Sequence, residues 1–105
     1  MIIVLGNVTV QEGKLSQALA LSHEHVARSR AEPGCIAHAV YQDTQNPLRL
    51  VFVEQWRDQP AIEVHFKVPE SRAFARALAA LAVERPEMAL FEAAAVEFNL
   101  TSLSR

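Results

Sequence analysis

The sequence predicts an α+β fold in which an antiparallel sheet carries its helices on one face. Three observations point there. The chain has 105 residues, 50% hydrophobic, with a formal charge of −2, which suits one globular domain with a real core. Its segments switch between β-branched apolar runs and helical stripes in the order β-α-β-β-α-β. The turn-formers Gly13, Pro33-Gly34, "DTQNP" and Pro86 fall between those segments.

Each element has its own signal. "MIIVLGNVTV" predicts a strand from Ile2 to Val10, with Gly13 in the turn. "KLSQALALSHEHVARSRAE" sets Leu15, Leu19, Ser22 and Val26 at helical spacing, flanked by Ala18 and Leu21, and Pro33-Gly34 closes it. His23 and His25 lie two apart on this helix, so they face different ways, make no i, i+4 metal pair and are expected in solvent. "CIAHAVYQD" and "LRLVFVEQW" predict two strands joined as a hairpin. "DQPAIEVHF" predicts a short helix, with Asp58 as N-cap and Pro60 in its first turn. Pro69 interrupts it, and "ESRAFARALAALAVE" resumes as a longer helix with Phe74, Leu78 and Leu81 in one stripe. "MALFEAAAVEFNL" is the last strand, so residues 1–100 are expected to form a single domain and 101–105 a tail. This order is the ferredoxin-like split βαβ arrangement.

Apolar side chains fall on both faces of the strands. In the third, Leu50 and Phe52 point one way and Val51 and Val53 the other; in the last, Leu90, Ala94, Val96 and Phe98 oppose Ala89, Phe91, Ala93 and Ala95. Helices cover only one face, so a second subunit is expected on the other, giving a homodimer packed sheet to sheet.

Several classes are excluded by composition. A pI near 6.1 leaves no basic footprint for nucleic acid. The single cysteine, Cys35, makes no internal disulfide and is expected as a small buried hydrophobe. The N-terminus has no basic signal-peptide region, and "AFARALAALAV" is too short and too charged for a bilayer span, so a cytoplasmic protein without a membrane partner is expected. No phosphate loop, Walker motif or zinc constellation appears, so neither metal nor cofactor is expected.

The chemistry-bearing residues gather around "FVEQWRDQPAIEVHF". Glu54 and Trp56 share a strand face with Leu50 and Phe52, where Trp56 is either a core residue at the strand end or a donor and stacking surface in a pocket. A carboxylate between two aromatics needs a partner: Arg49, Arg57 or Arg72 as a structural ion pair, or His65, or a raised pKa that makes Glu54 itself the base. His65 lies between Val64 and Phe66, either bonding a backbone carbonyl or serving as a base near neutral pH. Asn7 interrupts an apolar strand on the face of Ile3 and Leu5, as a strand-end residue or as a donor to a substrate oxygen. His38 is placed with Ile36 and Val40, lining either a pocket or, preferentially, the subunit interface, and Tyr41 has the same two options.

"SRAEPGC" leading into a strand, "VEQW", "A-I-E-V-H-F" and "P-x-x-x-A-F" together resemble the antibiotic biosynthesis monooxygenase family over nearly the whole chain. The resemblance implies a ferredoxin-like dimer whose sheets pack into a barrel. It also implies cofactor-independent oxidation of a quinol-like or polyphenolic molecule by O2. His65 would be base or anion stabiliser, Trp56 and Asn7 positioning donors, and Glu54 would orient His65 or share its proton. Phe52, Ile62, Phe74 and Tyr41 would line the pocket. Two departures stand out. Many relatives carry histidine right after the proline matching Pro69, where this chain has Glu70. Haem-degrading relatives are matched at Asn7 and Trp56, but the helix from Ser71 to Val83 has no axial histidine, which disfavours haem. An isomerase of a small hydroxy-ketone and a non-catalytic ligand-binding dimer are the other classes. A phosphorylated substrate would require a basic cluster at the pocket. A mere binder would have a small or filled pocket, Glu54 locked to an arginine and His65 bonded to backbone.

Overall fold

The computed structural model describes residues 1–103; the tail's last two positions, 104 and 105, lie outside the described residues. In chain order the elements are β1 (Ile2–Thr9), α1 (Leu15–Arg30), β2 (Cys35–Gln42), β3 (Arg49–Trp56), α2 (Gln59–Lys67), α3 (Pro69–Leu81) and β4 (Glu87–Glu92). The strands form one antiparallel sheet in the order β2-β3-β1-β4, the ferredoxin-like topology.

Local chemistry sets the boundaries. Gly13 and Gly34 turn the chain at φ +81° and +83°. A Cβ at Gly34 would come within 2.6 Å of the Ala61 Cβ, so this turn also lets α2 approach closely. Asp58 caps α2 by accepting from the Ala61 N–H at 3.0 Å. Val68 is extended, as a residue before proline prefers, and Pro69 opens α3.

Burial along β3 alternates strictly, with Leu50, Phe52, Glu54 and Trp56 facing the helices. Register then places Val8, Gly6, Val4 and Ile2 of β1 beside them in turn. Two apolar clusters form on this inner face. One gathers Val8, Val10, Ala18, Leu50, Phe52, Leu78 and Leu81; the other gathers Ile2, Val4, Trp56, Ala61 and Ile62.

Three expectations need correction. β4 ends at Glu92, not at the end of "EFNL": Glu92 pairs with Ile2, and beside it Met1 and Ala93 exchange backbone hydrogen bonds at 2.8 and 2.9 Å. Beyond it, Val96 and Phe98 are exposed rather than in a ladder. Ile36 does not share a face with His38. A bulge puts both Cys35 and Ile36 opposite Trp56, after which Ala37 pairs with Gln55 and His38 with Glu54. Ile36 is turned out and His38 is turned in, 2% exposed, so His38 is not an interface residue of the outer face. The expected stripe of α1 packs inward, with Ala18, Ser22 and Val26 buried and Leu15, Leu19 and Leu21 partly buried against the core, but the buried face also takes in His25 and Ser29, so His25 is buried and not solvated. Small residues at 18, 22 and 29 let this face of α1 sit close to its neighbours.

The outer face of the sheet stays apolar and uncovered within this chain: Leu5, Tyr41 and Phe91 are 46%, 58% and 51% exposed. Among the described residues, no helix is long and apolar enough to cross a membrane.

Candidate functional site

A cavity of about 400 Å³ opens between the β1–β4 side of the sheet and helix α3. Its walls are largely apolar, with Phe52, Phe66, Phe74, Leu78 and Met88 among them. Gly6 explains part of the space: it stands between Phe52 and Met88 in the sheet and contributes no side chain to the inner face. His25, Glu54, His65 and Ser71 bring polar atoms to this wall, and exposed Arg72, Arg85 and Glu87 complete the lining.

The polar cluster comes from four elements. β3 supplies Glu54 and Trp56, β2 supplies His38, α2 supplies His65 and α1 supplies His25. Trp56 is fully buried, and its Nε1–H donates to Glu54 Oε1 at 2.9 Å. His38 Nε2 stands 3.2 Å from the same oxygen, near enough for an ion pair but not aligned as a hydrogen bond. His65 Nδ1 lies 2.9 Å from Glu32 Oε1. A carboxylate only accepts, so Nδ1 carries the proton there and the Nε2 lone pair is left free. Rings pack tightly around this pair: Trp56 and His65 have centroids 4.5 Å apart, and His25 stacks flat on Phe74 at 4.0 Å.

Electrostatics sort the groups. Burial, the largest influence on Glu54, pushes its pKa up, but His38, the Trp56 donor and His65 together outweigh it and hold the carboxyl below its usual range. Glu54 is therefore an anion at neutral pH, not a base with a raised pKa. His25 is held neutral: burial first, then His38, His65 and Arg28, lower its pKa to about 3.

Placement of the expected residues is mixed. Glu54, His65, Phe52 and Phe74 do line the cavity. Trp56 does not; it is core, and it positions Glu54. Ile62, 1% exposed, is likewise core, packed with Ile2, Val4 and Trp56. Tyr41 pairs with Val51 on the outer face, so it neither lines nor closes the cavity. Asn7 borders the cavity beside Gly6, but it pairs with Val51 on the outer face, so strand alternation aims its side chain away from Glu54. None of the three arginines reaches Glu54: Arg49 pairs with Asp43 and Arg57 with Asp58, while Arg72 donates to the Phe66 carbonyl. Glu54 does not orient His65 either; Glu32 does. Sequence reasoning missed Glu32, His25 and Ser71. Glu32 had a signal, since it opens the "EPG" turn packed against α2. His25 had a weaker one, lying seven residues after Ala18 on the same helix face.

Comparisons with known proteins agree with this architecture. The family model described as antibiotic biosynthesis monooxygenase matches residues 1–77. The uncharacterized protein sll1783 of Synechocystis sp. is 32% identical over 93 residues, covering 89% of this chain; the chain spans 63% of that protein's length. A crystal structure of an antibiotic biosynthesis monooxygenase superposes with a TM-score of 0.84 at 24% identity, covering 90% of this chain and 100% of that one. PA3566 from Pseudomonas aeruginosa superposes with a TM-score of 0.80 at 26% identity, covering 90% and 94%.

Proposed function

Because the chain belongs to the antibiotic biosynthesis monooxygenase family, we propose that it oxidises a quinol-like or polyphenolic molecule with O2 without a cofactor, with His65 as the base. The observation that carries this is the oriented His65. Its Nδ1 is engaged by Glu32, and its other nitrogen is left to an apolar cavity large enough for a small polycyclic aromatic. His65 Nε2 takes the proton of a substrate hydroxyl, and Glu32 stabilises the imidazolium that results. The electron-rich anion passes one electron to O2, and the two radicals join at a ring carbon that carries hydrogen. The His65 imidazolium returns its proton to the peroxide anion, and loss of water from the resulting hydroperoxide leaves a carbonyl, so one oxygen atom enters the product and the other leaves as water. Ser71, whose buried hydroxyl has no partner, is placed to donate to a substrate oxygen. Glu54 carries the negative charge that keeps the neighbouring rings in place.

The assembly is proposed as a homodimer joined through the outer face, where Leu5, Tyr41 and Phe91 are exposed together. A second reading, isomerisation of a small anionic hydroxy-ketone, is favoured by one observation: Arg72 and Arg85 both stand at the cavity.

Oxygen uptake by the chelator-treated protein, with a panel of hydroquinones and anthrone-like phenols, tests the proposal. Uptake above autoxidation should fall about 100-fold or more in His65→Ala and less in Glu32→Gln. Uptake unchanged in His65→Ala would remove His65 as the base. Substrate rearrangement without O2 consumption would favour the isomerase.

A further inference from the structure

We propose that His25, His38 and His65, with Glu54, form a binding site for one divalent first-row transition metal ion. The three imidazoles come from α1, β2 and α2, and all are buried. One ring nitrogen from each lies within 4.8 Å of the others. Zinc–imidazole bonds of about 2.0–2.1 Å in a tetrahedron need nitrogens about 3.3 Å apart, so each would move inward by about 1 Å, within reach of a side-chain rotation.

Independent observations point the same way. His38 Nδ1 has no hydrogen-bond partner and Nε2 has only its ion-pair contact with Glu54 at 3.2 Å, though the side chain is wholly buried. A buried imidazole nitrogen left without any partner is rare in the absence of a ligand. Glu54 Oε1 lies 3.2 Å from His38 Nε2 and supplies the fourth donor once it closes on His25 and His65 as well. Glu32 on His65 Nδ1 is the carboxylate–histidine arrangement that fixes a metal-binding ring and leaves Nε2 as the ligand atom. One contact opposes loading: Arg28 lies 3.3 Å from His25 Nδ1 and must yield if that nitrogen binds. Three imidazoles and one carboxylate form a nitrogen-rich set that suits zinc, cobalt, nickel or copper better than calcium or magnesium. His25, His65 and Glu54 all border the cavity, so an open coordination position would face it.

This inference does not rest on the oxygenase reading, because it concerns binding in the absence of substrate. The two uses of His65 compete, since metal would occupy the lone pair proposed as base. The untagged full chain, stripped with chelator, is titrated with Co(II) and then Zn(II). One equivalent of Co(II) per chain should give visible d–d bands of a four- or five-coordinate ion, displaced by Zn(II). X-ray absorption of the Co(II)-loaded wild type should count three imidazoles, a readout that needs no variant to fold. His38→Ala should weaken Zn(II) binding about 100-fold or more and Glu32→Gln about 10- to 100-fold, while exposed His23→Ala should not change it. No saturable binding, fewer than two imidazoles on the bound ion, or equal affinity in wild type and a folded His38→Ala would each overturn the proposal.

Discussion

Acidification should destabilise this protein through one histidine well before its carboxylates protonate. His25 is held to a pKa of about 3 in the fold, from 6.5. Between those values the unfolded chain binds a proton that the folded chain refuses. Stability is thus fully present above about pH 6.5 and is lost as pH falls towards 3. One proton sets a ceiling of about 1.4 kcal/mol per pH unit. The ring borders the cavity and is open to screening there, so about 1–2 kcal/mol should be lost between pH 6.5 and 5. Glu54, whose folded pKa is lowered, adds to the loss only at lower pH, as pH falls below the ordinary carboxylate range. The control is His25→Phe, which keeps an aromatic ring on Phe74 and carries no titrating group. Urea unfolding at pH 7, 6 and 5, with chelator present, should show a falling midpoint for wild type and a much flatter one for His25→Phe. Parallel slopes for the two proteins would refute the assignment of the loss to His25.

Three further outcomes are expected. Trp56→Phe removes the donor to buried Glu54 and should cost about 1–3 kcal/mol in denaturant unfolding, leaving the fold intact by circular dichroism. Gly34→Ala should cost more than Gly13→Ala, for which about 1–2 kcal/mol is expected, because both have positive φ but only Gly34 would meet Ala61. Thermal melts of the pair read the difference directly. The double variant Leu5→Lys and Tyr41→Lys places charge on the outer face and should halve the sedimentation mass of a dimer while sparing the helix signal.

The fold was largely legible because its signals are local. Period-two alternation in "LRLVFVEQW", the Asp58 cap and the two prolines at 60 and 69 each act within a few residues. The length of β4 was not, since a strand extends only as far as its partner, and the pairing with β1 closes at Ile2–Glu92 and the Met1–Ala93 bonds beside it. The site was legible where a residue's face follows from its own strand, as for Glu54 and Phe52. It failed for His38, because a bulge changes the parity of β2 and nothing in "CIAHAV" announces it. It failed for Glu32 because that residue meets His65 across 33 positions of sequence. For Trp56 alternation gave the right face and left core and pocket both open, because it gives a direction, not the depth to which neighbours fill in above.

The bulge has a consequence for how this chain tolerates changes of length. The extra residue lets Cys35 and His38 both face inward, although they are three positions apart. Removing Ile36 would leave Cys35 followed directly by Ala37, already matched to Trp56 and Gln55. An uninterrupted ladder would result, with every other side chain on its present face. Ile36 and Ala37 are thus the positions of β2 at which one residue can be lost without rotating a histidine out of the interior, and gaps among related sequences should fall between Cys35 and His38 before they fall further along the strand.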